Sequence, residues 1–313
     1  MPIALLNFPT DLLGEVFRLC DPFDLYKLSK CSKRARKSIK LGNTKSWKIT
    51  FSFQNDMNIW VDRYRNYYFK KTENPEDYFK REHMEYMYVQ FPDGGALDFS
   101  IDLIETFGIR IVGTLSFPSD IFDNFSNVVT ALTDRNMEIE EVQIGGTEAG
   151  QDVFNFMPLM NQMNTIQDFR CFPKFPSNFH HLFDKYPNNI NIHFSSWFTI
   201  DQLLDCTSVH ITLFRSTLNN QDLNMFLQKW KKAGTFPNLR SLIILHTETI
   251  DNQSRILDMV PPIKIADNPR IRVSMKDRDS IVDPVQVKKD DGTVGWLVVE
   301  DHREHDGSLE FLM

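Results

Sequence analysis

The histidines near the carboxyl end of the chain have the residue types of a metal site. Two histidines lie there among three carboxylates: His302 and His305, with Asp301, Glu304 and Asp306. Metal sites in proteins need three or four ligands that the fold holds in place, whereas this segment is acidic and expected to be mobile. The adjacent His180 and His181 would point apart on a helix, so joint ligation is disfavoured there too. The sequence therefore predicts neither a metal nor another cofactor.

The four cysteines are predicted to be packing residues. They are widely spaced, with no C-x-x-C pair: Cys20, Cys31, Cys171 and Cys206. A nucleophilic cysteine needs a lowered pKa and a nearby histidine. Cys31 instead falls on the apolar side of a predicted helix, and Cys171 and Cys206 fall at inward positions of predicted strands. The spacing also excludes a disulfide framework and favours a reducing compartment.

Motifs for nucleotide binding and for hydrolysis are missing from the sequence. Gly145, Gly146 and Gly150 do not form G-x-G-x-x-G, and neither G-x-x-x-x-G-K-[ST] nor G-x-S-x-G occurs. A catalytic interpretation would therefore depend on a site that the sequence does not display. We predict that the chain is not an enzyme.

A basic run at residues 27–40 stands out in a chain of 313 residues whose net charge is −7. It contains seven cationic residues and no acidic one: Lys27, Lys30, Lys33, Arg34, Arg36, Lys37 and Lys40. Nucleic-acid binding needs a broad positive field, so one basic segment on an acidic body argues against a nucleic-acid partner. The amino-terminal sequence lacks the features of a secretory signal, and no stretch approaches ~18 consecutive apolar residues. We therefore predict a cytoplasmic or nuclear protein with no membrane partner.

The apolar residues before and within the basic run predict three short helices. Pro9 suits the first turn of a helix, Asp21 and Pro22 restart the chain in a second, and Ser32 can cap a third. The apolar positions recur three or four residues apart: Leu12, Leu13, Val16, Phe17, Leu25, Leu28, Ala35 and Ile39. A module of ~45 residues is rarely stable alone without a metal or disulfides. These residues therefore form either a private core or, in the interpretation we favour, an apolar surface for a partner.

The segment FPTDLLGEVFRLCDPFDLYKLSKCSKRARKSI, followed by Trp47, resembles the F-box. That motif begins with a Leu-Pro step and a Leu/Ile-rich helix, continues through Asp-Pro or Asp-Leu and Leu-x-x-(Leu/Val)-Cys, and ends in a basic helix near a tryptophan. The sequence departs from the motif at Phe8, where leucine is usual, and at Lys33-Arg34, where many members have Lys-x-Trp. The variant CSKRAR and the rest of the chain resemble the nematode F-box proteins that carry a type 2 F-box-associated domain.

The resemblance implies that the helices dock on a Skp adaptor and, through it, on a cullin ubiquitin ligase. The residues implied in this contact lie on the three helices: Pro9, Leu12, Leu13, Val16, Phe17, Pro22, Leu25, Leu28, Cys31, Ser32 and Ala35. The cationic residues would form a rim facing an acidic adaptor. The implied function is a non-catalytic subunit that recognises a protein target for ubiquitination. The alternative is a cullin-independent scaffold or antidote-like protein that uses the same helices without promoting ubiquitination.

An apolar-x-x-apolar-x-apolar unit recurs along the rest of the chain and predicts strands at regular spacing. The units start at Met84, Val112, Ile139, Ile166, Cys206 and Leu239, with weaker ones at Pro187 and Asn268. The first three intervals are 28, 27 and 27 residues. Helical patterns lie between the units: 98–107, 120–132, 151–163, 177–186, 219–232 and 250–259. This alternation is typical of an irregular leucine-rich-repeat-like solenoid, although a doubly wound sheet would produce it as well.

We therefore predict an α/β chain of four parts. They are an F-box at 1–45, a connector with a strand and an aromatic, charged helix at 46–83, a repeat-like F-box-associated substrate domain at 84–300, and an acidic tail at 301–313. Asp291-Gly292 between alternating segments predicts a carboxyl-terminal β-hairpin that caps the last repeat. Outward residues of the strands would form a concave face for the protein target: Glu141, Gln143, Arg170, His210 and Arg240.

Overall fold

The predicted amino-terminal helices are present in the structure, a computed structural model that describes residues 5–52, 56–62, 65–83, 85–117, 122–146, 157–265, 271–274, 280–301 and 306–313. They are α1 (Thr10–Leu19), α2 (Pro22–Cys31) and α3 (Lys33–Ser38). Asp21 caps α2 by accepting a hydrogen bond from the Asp24 amide at 2.8 Å, and Ser32 caps α3 through the Ala35 amide at 3.1 Å. Each cap gives a partner to an amide that the start of a helix leaves without one. The short helices therefore begin where the sequence predicts.

The chain divides into two compact units. Unit 1 comprises Met1–Pro118 and Asp123–Gln143, and unit 2 comprises Ser119–Phe122 and Ile144–Met313. The three amino-terminal helices thus belong to the same unit as the segment that we predicted to be a connector. The domain boundaries after residues 45, 83 and 300 stay predictions.

Seven neighbouring strands of unit 1 follow the order β7-β6-β1-β2-β3-β5-β4. The strands are β1 (Lys48–Ser52), β2 (Asp56–Asp62), β3 (Arg65–Lys71), β4 (Arg81–Glu82), β5 (Tyr86–Val89), β6 (Ile111–Phe117) and β7 (Glu138–Ile144), and the helices of this region are α4 (Gly95–Phe107) and α5 (Phe122–Asp134). Strand β1 pairs antiparallel with β2 and parallel with β6, while β2 pairs antiparallel with β3. The sheet is therefore mixed, with hairpin-linked strands at one end and a crossover through α4.

The predicted helix of the connector is wrong. Residues 56–62 and 65–71 form strands β2 and β3, and the described residues between β3 and β4 contain one helical turn, the short 3-10 helix Pro75–Asp77. Phe69 of β3 is fully buried, whereas its neighbours Tyr68 and Lys70 are half-buried. Aromatic residues are enriched in strands because they pack well on a half-buried sheet surface. The aromatic content of this segment thus favoured strands over a helix.

Seven neighbouring strands of unit 2 follow the order β14-β15-β16-β11-β10-β9-β8. They are β8 (Asn164–Cys171), β9 (Asn189–Ile192), β10 (His210–Phe214), β11 (Ser241–Thr247), β14 (Val285–Lys288), β15 (Val294–Glu300) and β16 (Gly307–Leu312). Unit 2 also contains helices α6 (Ile200–Asp205) and α7 (Asn220–Lys231) and a separate sheet of β12 (Arg272–Ser274) with β13 (Ser280–Val282). Strands β8 to β11 are parallel neighbours in chain order, and β16 is antiparallel to β11 and β15.

The mixed α/β class is confirmed, with helices in the amino-terminal region and strands in mixed directions. Strands β5 to β11 coincide with the predicted apolar units, and the weak unit at Pro187 corresponds to a full strand, β9. The weak unit at Asn268 instead runs toward β12 in the separate two-stranded sheet, and Asn268 itself lies outside the described residues. The solenoid arrangement stays a prediction.

Two of the predicted helices, 177–186 and 250–259, are wrong, because the structure has no helix there. Within the first segment burial alternates, since Phe179, His181 and Phe183 are buried and the two residues between them are exposed. A period of two is the period of extended chain, not of a helix. Part of a third prediction, residues 151–156, lies outside the described residues, while residues 157–160 are helical.

The carboxyl-terminal hairpin is confirmed, but the acidic tail is not. Strands β14 and β15 pair antiparallel around Asp291-Gly292, where Gly292 has a φ of 89°. The hairpin does not cap the last parallel strand directly, because β16 lies between β15 and β11. Residues 307–312, which we predicted as tail, form β16, and Leu309 and Phe311 on it are fully buried. Ser308 and Leu312, on the other side of the strand, are also buried, so β16 is covered on both sides.

Candidate functional site

Helix α1 has two apolar sides, and the chain covers only one of them. Leu13 and Phe17 are 3% and 0% exposed. Leu12 is 57% exposed and Leu19 is 88% exposed, with the half-buried Val16 between them. Positions 12, 16 and 19 are separated by four and three residues, so they fall on one side of a helix. We call Leu12, Val16 and Leu19 the α1 stripe.

The inner side of α2 is covered by aromatic residues of unit 1. The Phe23 ring meets those of Tyr67 and Phe69 edge-to-face, each at 5.2 Å between centroids. Tyr26 meets Phe69 at 5.3 Å and Phe99 of α4 at 5.8 Å. Such edge-to-face pairs contribute about 0.5–1.5 kcal/mol each beyond the area that they bury. The amino-terminal helices are thus packed onto the sheet that follows them rather than standing apart as a module.

Several cationic residues of α2 and α3 bind other parts of unit 1. Lys30 Nζ lies 3.0 Å and Arg36 Nη2 lies 2.8 Å from the carboxylate of Asp102 on α4. Arg34 donates a hydrogen bond to the Leu6 carbonyl at 2.7 Å. Three of the seven residues of the predicted basic rim are therefore engaged by the chain itself. The lysines of the run that have no ion pair within the described ranges are Lys27, Lys33, Lys37 and Lys40.

The predicted adaptor-contact residues separate into an accessible group and a buried group. Accessible are the exposed Pro9, Leu12, Cys31 and Ser32 and the half-buried Val16 and Leu28. Buried are Leu13, Phe17, Pro22, Leu25 and Ala35. The prediction of surface contact is corrected for the buried group, because a side chain that the chain already covers offers no further apolar area to a partner. Leu19, the most exposed member of the α1 stripe, was missed, although its seven-residue spacing from Leu12 was visible in the sequence.

An open cavity of about 370 Å³ lies in unit 1 between α2 and α4. Its charged lining residues are Lys30, Asp98, Asp102 and Glu105, and Tyr26 lines it as well. Asp102 already forms ion pairs with Lys30 and Arg36, and Glu105 lies 3.5 Å from Arg135. These groups are therefore accounted for largely by ion pairs that join helices.

The histidines and carboxylates near the carboxyl end, which were not predicted to bind a metal, fall mostly outside the described residues. His302, Glu304 and His305 belong to the part of the chain of which the structure gives no description. Among the described residues, no group of three or more potential metal ligands occurs. Within that same part of the chain, no helix combines the length and the apolar character needed to cross a membrane.

Two rows of mainly polar residues lie on the side of β8–β11 that faces away from the buried core. In register across the strands, the first row is Asp168, Asn189, His210 and Ser241, and the second is Arg170, Asn191, Thr212 and Ile243. The alternate residues of the same strands, such as Phe169, Ile211 and Leu242, are at most 1% exposed. Asn189 Nδ2 donates to Asp168 Oδ1 at 2.7 Å, and His210 Nδ1 lies 2.9 Å from Ser241 Oγ. The first row is thus held by its own hydrogen bonds.

The predicted target-binding residues do not all share this face. Arg170 and His210 lie on it, in neighbouring rows. Arg240 directly precedes β11 and is not part of either row. Glu141 and Gln143 belong to β7 in unit 1, where Thr114 Oγ1 donates to the Glu141 carboxylate at 3.1 Å. The role of these residues in target binding stays a prediction.

A row of stacked rings ends the same face of unit 2. Phe172, His193 and Phe214 follow the second row by strand alternation, and His246 stacks beyond them; we call these four residues the ring row. The centroid distances along it are 4.4, 4.9 and 6.1 Å. Burial, assisted by the nearby Arg215 guanidinium, holds the pKa of His193 below its usual value, so this ring is neutral at pH 7. Sequence analysis missed the ring row, although two of its members, Phe172 and His193, directly follow the last apolar residue of a predicted unit.

Two family models match parts of the chain. Residues 5–47 match the F-box domain. The chain carries an F-box. Residues 173–244 match the model described as F-box associated, which confirms the second part of the resemblance. No curated protein and no solved structure matches the chain.

The F-box match contains α1, α2 and α3, and the F-box-associated match contains β9, β10 and α7 together with most of β11. Proteins with these two domains are typically non-catalytic substrate adaptors of ubiquitin ligases. The α1 stripe thus lies within the F-box, and the polar rows and the ring row lie largely within or beside the F-box-associated region.

Proposed function

We propose that the chain is a non-catalytic substrate-recognition subunit of a Skp/cullin/F-box ubiquitin ligase. The F-box binds a Skp adaptor, which brings a cullin, and unit 2 holds a protein target. The mechanism is proximity, because holding a target lysine beside the ubiquitin donor raises its effective concentration without chemistry from this chain. Such a complex operates in the cytoplasm or the nucleus.

The observation that carries this proposal is the α1 stripe. Burying a leucine side chain fully stabilises a complex by roughly 1.5–3 kcal/mol. Leu12 is 57% exposed, so burying this exposed part in a complex contributes about 1–2 kcal/mol of binding free energy. That energy corresponds to roughly a five- to thirtyfold change in affinity. Leu19 and Val16 extend the same apolar surface along the helix. An exposed apolar stripe on an amphipathic helix of the F-box favours burial against a dedicated partner over exposure to water.

The adaptor contact in this proposal uses the accessible group of residues. Pro9, Leu12, Val16, Leu28, Cys31 and Ser32 face the adaptor, and the buried group supports them from inside. The unpaired lysines of the basic run border this surface and favour an acidic partner, because complementary charge at a rim raises the rate of association. Their contribution should weaken as salt screens exposed charges.

The test is co-expression of the full chain with a Skp adaptor. The native chain is compared with Leu12→Asp and Leu28→Asp, and with the control Leu182→Asp. Leu182 is 72% exposed in unit 2, so the control places the same charge on an exposed leucine far from the F-box in sequence. We expect the adaptor to be lost with the first two variants and retained with the control, while unit 2 stays resistant to protease in all four proteins. Equal recovery of the adaptor with Leu12→Asp would contradict the proposal.

The composition of the purified complex distinguishes the substrate-receptor proposal from the cullin-independent alternative. If the chain is a substrate receptor, a cullin co-purifies with it and a bound partner becomes ubiquitinated when the ligase is reconstituted. If the adaptor co-purifies without a cullin and bound partners remain unmodified, the chain is instead a scaffold or antidote-like protein. Both results require the same F-box contact, so the Leu12→Asp variant serves as the negative control for each.

A further inference from the structure

We propose that the ring row of unit 2, together with the polar row beside it, binds an extended acidic peptide segment that contains an aromatic residue. This inference rests on the proposed function and specifies the kind of target segment that unit 2 recognises. The site is formed by Phe172, His193 and Phe214, by Asn191 in the adjoining row, and by the guanidinium of Arg215.

The ring row presents aromatic surface that the chain leaves partly uncovered. Phe172, His193 and Phe214 are each half-buried, and successive centroids are 4.4 and 4.9 Å apart. Two such steps span roughly the length of three residues of extended chain, at ~3.3 Å per residue. A flat side chain of a peptide lying across the strands can therefore stack on this surface and remain in line with its own backbone.

Two cationic side chains near β8–β10 have no ion pair within the described ranges. Arg215 lies 4.5 Å from the Phe194 ring centroid and has no ion pair within the described ranges, and Lys174, two residues after Phe172, has none either. Two carboxylates of this region already have partners, since Asp168 accepts a hydrogen bond from Asn189 and Asp306 lies 2.7 Å from His246. An occupant that carries carboxylates therefore complements this part of the face.

The polar row favours an extended segment over a helix. The carboxamide oxygen of Asn191 is buried and has no hydrogen-bond partner among the described residues, so a rotation that brings this carboxamide toward a ligand breaks no bond of that oxygen. An extended peptide offers free backbone amides to such a group, whereas a helix has used most of its own. Helix docking also needs a continuous apolar groove, and here polar side chains adjoin the rings directly.

The experiment measures fluorescence anisotropy of labelled dodecapeptides with the full chain. The probes alternate glutamate with tyrosine, lysine with tyrosine, and glutamate with alanine. We expect the glutamate–tyrosine peptide to bind about tenfold or more tightly than the other two, because only it supplies both the ring and the carboxylates. Equal binding of the lysine–tyrosine peptide, equal binding of the glutamate–alanine peptide, or no binding of any peptide would overturn the inference.

Variants of the site give a second measurement. Arg215→Glu and Phe214→Ala should each weaken the glutamate–tyrosine peptide by about tenfold, whereas the controls Lys185→Glu and Phe236→Ala should not. Arg215 is exposed, so its variant keeps the core intact, and thermal melting verifies this. Loss of binding with the controls as well would refute the site. The native chain separates the two hypotheses: adaptor binding without peptide binding defeats this inference alone, and peptide binding without adaptor binding defeats the proposed function alone.

Discussion

Replacing Phe69 with alanine tests whether the F-box depends on the sheet that follows it. Phe69 lies on β3, outside the F-box match, and is 0% exposed. Its ring centroid is within 5.6 Å of those of Phe23 and Tyr26 in α2 and Phe99 in α4. Removing a fully buried phenylalanine costs roughly 3–5 kcal/mol, because the transfer energy of the ring is lost and a cavity remains. We expect this loss to appear in α2 although the substitution lies outside it.

Amide hydrogen exchange in the full chain measures the effect on α2 directly. A loss of about 3 kcal/mol in the free energy of local opening corresponds to roughly hundredfold faster exchange. The matched control is Phe169→Ala, because Phe169 is also a fully buried strand phenylalanine but belongs to unit 2. The control should leave the α2 amides unchanged.

Either of two results would refute the reasoning. The α2 amides of Phe69→Ala could exchange as slowly as those of the native chain, which would mean that the aromatic contacts contribute nothing to the helix. A fragment ending at residue 47 could show the full native protection, which would mean that the F-box folds without the sheet.

Two further predictions follow from titratable groups. Burial lowers the pKa of His181 to about 4, against the opposing effect of Asp184, whereas the unfolded side chain titrates near 6.5. The unfolded state therefore takes up a proton first, and the free energy of unfolding should fall by up to about 3 kcal/mol as the pH drops from 6.5 to 4, with no contribution above 6.5. Urea unfolding should show this loss in the native chain and not in His181→Phe, and equal pH profiles would contradict it. Burial also raises the pKa of the Cys171 thiol, while Cys31 is exposed, so a disulfide reagent at pH 8 should label Cys31 in the native protein and Cys171 only after unfolding. Rapid native labelling of Cys171 would count against the structure.

The amino-terminal helices were predictable because local chemistry decides where they begin. Asp21 and Ser32 accept hydrogen bonds from the amides three residues later in the chain, so each cap depends only on a few adjacent residues. The side of α1 that becomes buried was not predictable in the same way. Leu12 and Leu13 are adjacent and chemically identical, and the choice between them depends on packing with residues distant in the sequence. Half of the predicted adaptor contacts were therefore assigned to buried side chains.

The strands of unit 2 were predictable from the recurring apolar unit, because one side of each strand meets the core. The wrong predictions in this unit share a cause: the secondary structure of a short apolar run is determined by the residues that pack against it in the fold. The segment around Phe179 and Phe183 has apolar residues at a spacing that a helix also accepts, and packing around Trp197 fits an extended chain instead. Strand β16 is only six residues long and follows an acidic stretch, and its partner β11 lies about sixty residues earlier. No pattern in the sequence near β16 predicts its pairing with β11.

The α1 stripe also bears on how the protein is kept in a cell. A copy of the chain that has no partner exposes three neighbouring aliphatic side chains to solvent. Chaperones and quality-control proteases recognise this kind of surface. Its lifetime is then tied to the supply of whatever protein shields those side chains. Surplus copies would be removed, and the abundance of the chain would follow that of its companion rather than the activity of its own gene.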